Sequence, residues 1–408
     1  MHVSGVLCAP AAAEEVDTKL FFDDVNFDGQ LQRSVGKCDT GMANVGECLY
    51  IASQITPGDR GSWYAAWSQF ADALVQQADT ALAAGHTVSA AGQYLRAAEY
   101  YRQAFFWHRD DLDGKELTTA YPASVKAFRA ALPYLDRPGS VVDGDTPGYF
   151  FAPAGDGPHP TILHIGGYDG TAEEQYSDAA PALQRGWAFA GLDGPGTGVC
   201  LYDRRVYMRP DWENVVPGMV DRLLTRPEVD PHRIVLVGRS FGGVLAPRGA
   251  SAEPRLAAMV VDPGQYDIGE GLEARFGADL WKTVDDPDAD PQWNALLDVP
   301  ALKTLFGPRM ATHGLDSPRA WAGDTRRYNC REQAPKITCP SFVTDNETDA
   351  VSTGQGQQLF DALTCPKEFR RFLQKEGAEG HCEGMASVVF WTAAFDWLEW
   401  TLGATGAS

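Results

Sequence analysis

Positive charge is scarce in this chain. Its 34 lysines and arginines face 55 aspartates and glutamates, a formal net charge of −21. A surface that acidic repels phosphate backbones and anionic lipid, so nucleic acid and membrane are excluded as partners. The partners expected are a small-molecule substrate and at most a second copy of the chain. Cysteine pattern is lacking too. The eight cysteines, at 8, 38, 48, 200, 330, 339, 365 and 382, contain no C-x-x-C pair, which argues against a zinc site or a disulfide framework and for reduced thiols in a cytoplasmic enzyme. No apolar run approaches the ~18 residues of a membrane span. Met1 to Ala13 has no basic flank and is broken by Pro10, so no signal peptide is expected. No P-loop, H-E-x-x-H or calcium-loop pattern occurs, and neither a metal nor a cofactor is expected.

What is present is ample apolar material: 44% of 408 residues, enough for a sizeable core in two or three units. Residues 1 to about 40 show no period and read as an irregular arm. From Gly61 the pattern turns helical. Trp63, Trp67, Phe70, Leu74, Ala78 and Leu82 fall at steps of three and four, one apolar stripe. Gly85 ends it, Thr87 or Ser89 caps the next helix, and Ala91, Tyr94, Ala98, Tyr101 and Phe105 make a second stripe. A third helix is expected over roughly 124–135, with Asp136 to Ser140 as linker. A helical unit over 41–138 follows from this.

After the linker the period changes. Strands are expected at Gly148–Ala152, Thr161–Ile165, Trp187–Leu192, Ile234–Val237, Leu256–Val261, Ser341–Thr344 and Phe369–Leu373, with helices between and a closing helix at Ser387–Leu402. Buried strands alternating with helices imply an α/β fold with a mostly parallel sheet covered on both faces, over 139–408. Between about 264 and 335 the alternation stops, and this insertion reads as a lid. Its acidic run, Asp285 to Asp290, reads as a solvated loop, because proline interrupts it and the glycine and terminal glutamate of a calcium loop are missing.

The most specific stretch is Ile234-Val-Leu-Val-Gly-Arg-Ser-Phe-Gly-Gly243. A buried-type strand runs into G-x-S-x-G, the nucleophile elbow that exposes one strained serine at a strand-to-helix turn. Ser240 then needs a base, and the base an orienting acid. In the order serine, acid, histidine, only His313 and His381 follow Ser240, and His313 lies in the lid. His381, in the loop Glu379 to Glu383, is the expected base. The acid ends the preceding strand. Asp345, Glu347 and Asp349 are available there; Asp349 is preferred because Ala350-Val351 resumes apolar character and anchors the turn, with Asp345 as runner-up. The oxyanion hole is expected from the backbone N–H of Phe241 and that of Gly167 or Tyr168, after the Thr161 strand. Tyr168, Phe241 and Tyr266 are candidate substrate contacts. His164 reads as a buried strand residue. Gly194-Pro-Gly-Thr-Gly198 departs from the dinucleotide spacing and reads as a shaping turn.

With Gly166-Gly167, Asp193 to Gly196, Gly238 to Gly243, Asp349 to Val351 and Gly380 to Cys382 in place, the chain resembles α/β-hydrolases that carry a helical domain ahead of the catalytic one. It is similar to the group of 2,6-dihydroxypseudooxynicotine hydrolase and the fungal polyketide-shortening hydrolases. That resemblance implies a serine triad of Ser240, Asp349 and His381, no cofactor, and hydrolysis of a ketone-adjacent carbon–carbon bond or an ester in an aromatic or polyketide-like substrate. It does not reach the first forty residues or the lid. A peptidase, or a non-catalytic binder on the same fold, is the competing expectation.

Overall fold

The central strands of this chain carry apolar residues on both faces, and the structure shows why. The computed structural model describes residues 18–403. An eight-stranded sheet has the order β1-β2-β4-β3-β5-β6-β7-β8: β1 (Gly139–Val142), β2 (Gly148–Phe151), β3 (His159–Ile165), β4 (Ala188–Leu192), β5 (Val229–Arg239), β6 (Leu256–Asp262), β7 (Ser341–Asn346) and β8 (Lys367–Phe372). The β1–β2 and β2–β4 pairs are antiparallel; the remaining neighbours are parallel. Alternate residues feed two different cores, as the two-residue strand period demands. Ile162, Val235, Val237 and Val260 point to one, and Leu163, Ile234, Leu236 and Val261 to the other.

The first core is closed by the amino-terminal helices α1 (Val25–Val35), α2 (Val45–Ala52), α3 (Arg60–Ala83), α4 (Thr87–Phe105) and α5 (Lys115–Ala131), by α6 (Tyr176–Gln184), and by the last helix of the chain, Ser387–Leu402. Trp63, Trp67, Phe128, Phe189, Trp391 and Phe395 lie in one continuous apolar cluster, so helices and sheet share their burial rather than each keeping a private core. Helix α7 (Gly198–Tyr202) adds Leu201 and Tyr202 to the first core, and the second is closed by α8 (Val216–Leu223) and α9 (Gly242–Ala250) on the elbow side and by Gln355–Ala362 near the edge. The insertion forms α10 (Ile268–Phe276), α11 (Ala278–Trp281), α12 (Asp290–Asn294), α13 (Pro300–His313) and α14 (Pro318–Thr325). It has its own small core of Trp281, Trp293, Phe306 and Trp321. The helices flanking β8 complete the count: α15 (Gln355–Ala362) and α16 (Ser387–Leu402). Among the described residues no helix is long and apolar enough to cross a membrane.

Four local expectations need correction. Within the supposed irregular arm, Val25–Val35 is a helix: the Asp24 carboxylate accepts the N–H groups of Asn26 and Phe27, and Phe27 and Leu31 bury one turn apart. Residues 1–17, including the stretch examined for a signal peptide, lie outside the described residues. In α3 the buried position falls on Ala71, with Phe70 half-buried beside it. Helix α4 starts at Thr87 with no side-chain cap. Helix α5 starts at Lys115, nine residues early, and carries Pro122 in its interior; Leu117, Ala120 and Tyr121 supply buried contacts on the near side of that proline. The aspartates at 285–290 act locally. Asp286 caps the N–H of Asp288, Asp285 pairs with Arg326, and Asp290 pairs with Arg319.

Candidate active site

The elbow is as tight as its glycines require. Ser240 sits at φ 56°, a left-handed conformation that costs an ordinary residue roughly 1–3 kcal/mol and persists only where its surroundings enforce it. Its N–H donates to Asp262 O at 2.8 Å, and its carbonyl accepts from Gly243. A Cβ on Gly238 would lie 2.2 Å from Gly242 O, and one on Gly242 would lie 2.5 Å from Ile165 O. Strand β5, helix α9 and the end of β3 can therefore approach only because both positions lack side chains. Gly167 is closer still to the chemistry: its Cβ would lie 2.6 Å from Ser240 Cβ and 3.0 Å from Phe241 N. The loop after β3 thus runs against the elbow, with backbone in contact with the serine.

His381 bridges the serine and the acid. Its Nε2 lies 2.8 Å from Ser240 Oγ, and its Nδ1 lies 3.0 Å from Asp349 Oδ2. Of the three carboxylates weighed after β7, only Asp349 reaches the ring. Asp345 accepts the N–H of Asn346, and Glu347 that of Gln374. The anchor of Asp349 differs from expectation. Val351 is 56% exposed and packs nothing from beneath; its backbone N–H donates to Asp349 Oδ1 at 2.7 Å instead. Burial opposes ionisation of Asp349, but the charge of His381, its hydrogen bond and the Val351 and Ser352 N–H groups outweigh it and lower the pKa. At His381, burial works against a charged ring. The charge of Cys382, when ionised, and that of Asp349 work for it and leave the pKa well above the ordinary histidine value. Burial keeps the Cys382 thiol protonated beyond its usual range, so at neutral pH Asp349 supplies that charge.

The histidine loop is pinned rather than loose. Gly380 N–H donates to Thr348 Oγ1 at 2.8 Å, and Asn346 Nδ2 donates to Ala378 O and Glu383 Oε1. The main tie is Arg239, the unspecified residue of G-x-S-x-G. Its Nη2 donates to Cys382 O at 2.6 Å, its Nε to Asp262 at 3.0 Å, and its Nη1 to Asp178 at 3.1 Å. One guanidinium joins the strand that ends at Ser240 to the loop that carries His381. Burial counts against its charge, but the surrounding carboxylates raise its pKa further.

The insertion contributes His313, which sequence reading set aside as a partner for Ser240. Tyr168, next to Gly167, stacks its ring 4.0 Å from that of Phe241 and bonds through its hydroxyl to His313 Nε2 at 2.7 Å. His313 Nδ1 in turn lies 2.7 Å from Asp324. With Asp324 as acceptor, Nδ1 carries the proton and Nε2 accepts from the tyrosine. Burial lowers the His313 pKa despite Asp324, which keeps the ring neutral. Phe241 is itself buried against Tyr168 and Tyr328, so it builds the wall of the site. Tyr266 donates its N–H to Gln355 and faces Arg331; no contact among the described residues joins it to Ser240. His164 is buried between Gln175 and Asp178. In the glycine-rich turn, the carboxylate of Asp193 accepts from Ala172 and Val199, and a Cβ on Gly198 would lie 2.0 Å from it, as a shaping turn requires.

Comparison with known proteins agrees in direction. A family model described as esterase FrsA-like matches residues 55–265. The hydrolase acrC of Aspergillus aculeatus is 30% identical, over 93% of this chain and 97% of its own length. The 20-hydroxy-prefusarin hydrolase of Gibberella moniliformis is 34% identical, over 94% of this chain and 98% of its own. The crystal structure of the 2,6-dihydroxy-pseudo-oxynicotine hydrolase has the same fold, with a TM-score of 0.70 at 22% identity, covering 89% of this chain and 94% of that one. The elbow, the parallel sheet and near full-length relatives converge: the chain is a hydrolase belonging to the FrsA-like esterase family of α/β-hydrolases.

Proposed function

We propose that this hydrolase works through a serine triad of Ser240, His381 and Asp349. The observation that carries the reading is the imidazole that spans the serine hydroxyl at 2.8 Å and the carboxylate at 3.0 Å. Ser240 Oγ attacks a substrate carbonyl as His381 Nε2 takes its proton, and Asp349 fixes the tautomer and steadies the imidazolium. The oxyanion is received by the N–H of Phe241 and that of Gly167 or Tyr168. His381 then protonates the leaving group, and a water activated by the same ring releases the acyl group. Because His381 must be neutral to act as base and Asp349 favours its charged form, activity climbs with pH as the ring loses its proton.

The substrate we infer is a small to medium carbonyl compound with an aromatic or polyketide-like body, cleaved at an ester or at a carbon–carbon bond beside a ketone. The Tyr168 and Phe241 wall supports an apolar body, as does the relative named for a prefusarin substrate. An alkoxide and an enolate leave from the same tetrahedral intermediate, so the triad serves both. The test pairs an aryl ester with an aryl β-diketone and follows products by mass spectrometry. Ser240→Ala is expected to lose turnover by about 10⁶-fold and to lose labelling by a fluorophosphonate, while melting at or above the wild-type temperature. Wild-type rates in the folded variant would overturn the triad.

A further inference from the structure

Arg309, on helix α13, forms no ion pair with a carboxylate among the described residues. Its Cζ lies 5.4 Å from the centroid of the Tyr168 ring, on the loop whose Gly167 abuts Ser240. Its one hydrogen bond runs from Nη1 to Leu305 O of its own helix, at 3.0 Å. Nε and Nη2 have no hydrogen-bond partner among the described residues, yet neither is sealed from solvent-sized space. The nearby carboxylate of Asp169 is already taken by Arg109 at 2.5 Å. Burial raises the pKa of Asp169, but the charges of Arg109, Arg309 and Arg33 more than reverse this and hold it well below the carboxylate range. Two of those arginines stand beside the same aspartate, and Arg33 is committed to Glu174. One positive charge is left over, inside a protein whose net charge is −21.

Electrostatics marks the same residue. Burial pushes the Arg309 guanidinium down. The other arginines with displaced pKa values, Arg102, Arg109 and Arg239 among them, all move up, because acceptors around them outweigh burial. A half-buried cation whose neighbouring carboxylate is taken is poorly compensated unless something supplies a counter-ion. A guanidinium offers a planar fork matched to two oxygens that share a negative charge. A focused positive potential within an acidic shell also draws an anion inward past a repelling surface.

We propose that Arg309 is a specificity-determining residue that binds a negatively charged oxygen group of the substrate, a carboxylate or an ionised enol, in the space between helix α13 and the loop carrying Tyr168. This rests on the Ser240 reading for its place in catalysis, and it narrows the substrate to compounds that carry an acidic oxygen beyond the scissile carbonyl.

The experiment compares 4-nitrophenyl acetate, its carboxylate-bearing analogue 4-nitrophenyl hemisuccinate, and an aryl β-diketone whose enol ionises near neutral pH, with wild type, Arg309→Met and Arg309→Lys. Wild type is expected to favour a charged substrate. Arg309→Met is expected to raise KM for that substrate by about 10- to 100-fold, the scale of a lost hydrogen bond to a charged group. It should change kcat/KM for the neutral acetate less than about threefold, and Arg309→Lys should recover part of the loss. Loss on the hemisuccinate assigns a carboxylate, and loss on the diketone alone assigns an enolate. An equal fall on all three compounds, or none on either charged one, overturns the proposal. Binding of the hemisuccinate and the diketone to Ser240→Ala by calorimetry separates the two readings. If Ser240→Ala turns substrate over, the triad fails. If it binds neither charged compound more tightly than its Arg309→Met double variant does, Arg309 fails whatever the role of Ser240.

Discussion

The two sides of the site are built by opposite means. On the sheet side, backbone positions the serine and the carboxylate, and side-chain ties, Arg239 foremost, hold only the His381 loop. Glycines at 167, 238 and 242 let three segments touch, Ser240 is forced to φ 56°, and the acid is held by N–H groups of its own turn. On the lid side, long side chains do it. Tyr168, His313 and Asp324 link a β3 loop to α13 and α14 through two hydrogen bonds of 2.7 Å, and Arg309 reaches the same ring. Backbone constraint is local and leaves short motifs with fixed spacing. Side-chain bridging joins residues 145 apart and leaves none. The chemistry common to many hydrolases is expected on the first side and the selection of substrate on the second, since a lid can change its side chains without disturbing the elbow.

The sharpest way to break this contrast is at the acid. Asp349→Asn keeps the shape of the turn but presents an amide to His381 Nδ1 and favours the wrong tautomer, so kcat is expected to fall by about 10⁴-fold. Asp345→Asn, one turn away and bonded only within its own strand end, should stay within about threefold. Equal losses would mean that His381 can draw on either carboxylate and that the sheet side is less fixed than its geometry implies. Steady-state rates on one neutral aryl ester measure both.

Next in size is Gly167→Ala. The added methyl would lie 2.6 Å from Ser240 Cβ and 3.0 Å from Phe241 N, so either the serine or an oxyanion donor must move. A loss of about 10²–10³ in kcat is expected, as for removal of one such donor, with KM little changed. A variant that keeps wild-type kcat would show that this loop gives way and that backbone contact does not set the geometry.

Smaller effects belong to the lid. Tyr168→Phe and His313→Ala each break the same bridge, and each is expected to lower kcat by roughly tenfold, in the range of a lost hydrogen bond that strands a buried partner. The double variant should be no worse than either single, because both act through one link. Additive losses would separate the two residues and reduce the bridge to packing.

The same contrast explains what was legible in the sequence. The strands other than β1, the elbow, Asp349, His381 and the Gly166-Gly167 loop could be read, because apolar period and glycine-bearing turns report backbone conformation directly; β1 could not, since its first two residues fall in the stretch expected as linker. Helix α1 escaped because its core face is only Phe27 and Leu31 between polar residues, too short for a stripe. Arg239 occupies a position that the elbow pattern leaves free, and nothing in sequence shows that its guanidinium crosses to Cys382. His313 lies in the insertion read as a lid, which set it aside as a partner for Ser240. Its role depends on Asp324, eleven residues on across an irregular link, and on Tyr168 in another element. The buried ions Lys37, Glu99, Arg102 and Glu174, joined between the amino-terminal helices and the turn before α6, were invisible for the same reason. Polar pairs distant in sequence leave no periodic trace.

Glu383 tests how far rigidity extends on the sheet side. Two residues after His381, in what reads as a surface loop, its side chain is wholly buried. It accepts from Asn346 through Oε1, while Oε2 lies 3.8 Å from Arg239. Burial, with the charge of Asp262 adding to it and Arg239 opposing, raises its pKa from 4.5 to about 9. In the folded protein it is thus a neutral acid at pH 7, whereas unfolded it is ionised. Since the folded pKa is the higher, its contribution is complete below about pH 4.5, declines as pH rises because only the folded state keeps the proton, and is lost once pH passes about 9. Glu383→Gln mimics the protonated side chain and removes that slope. Its melting temperature is expected to approach that of wild type near pH 5 and to exceed it by ~2 °C or more at pH 8.5. Melting curves that stay parallel across this range would mean that the loop admits water to the carboxylate. The base would then be carried by a segment that breathes, and the rigidity assigned to the sheet side would end at Arg239.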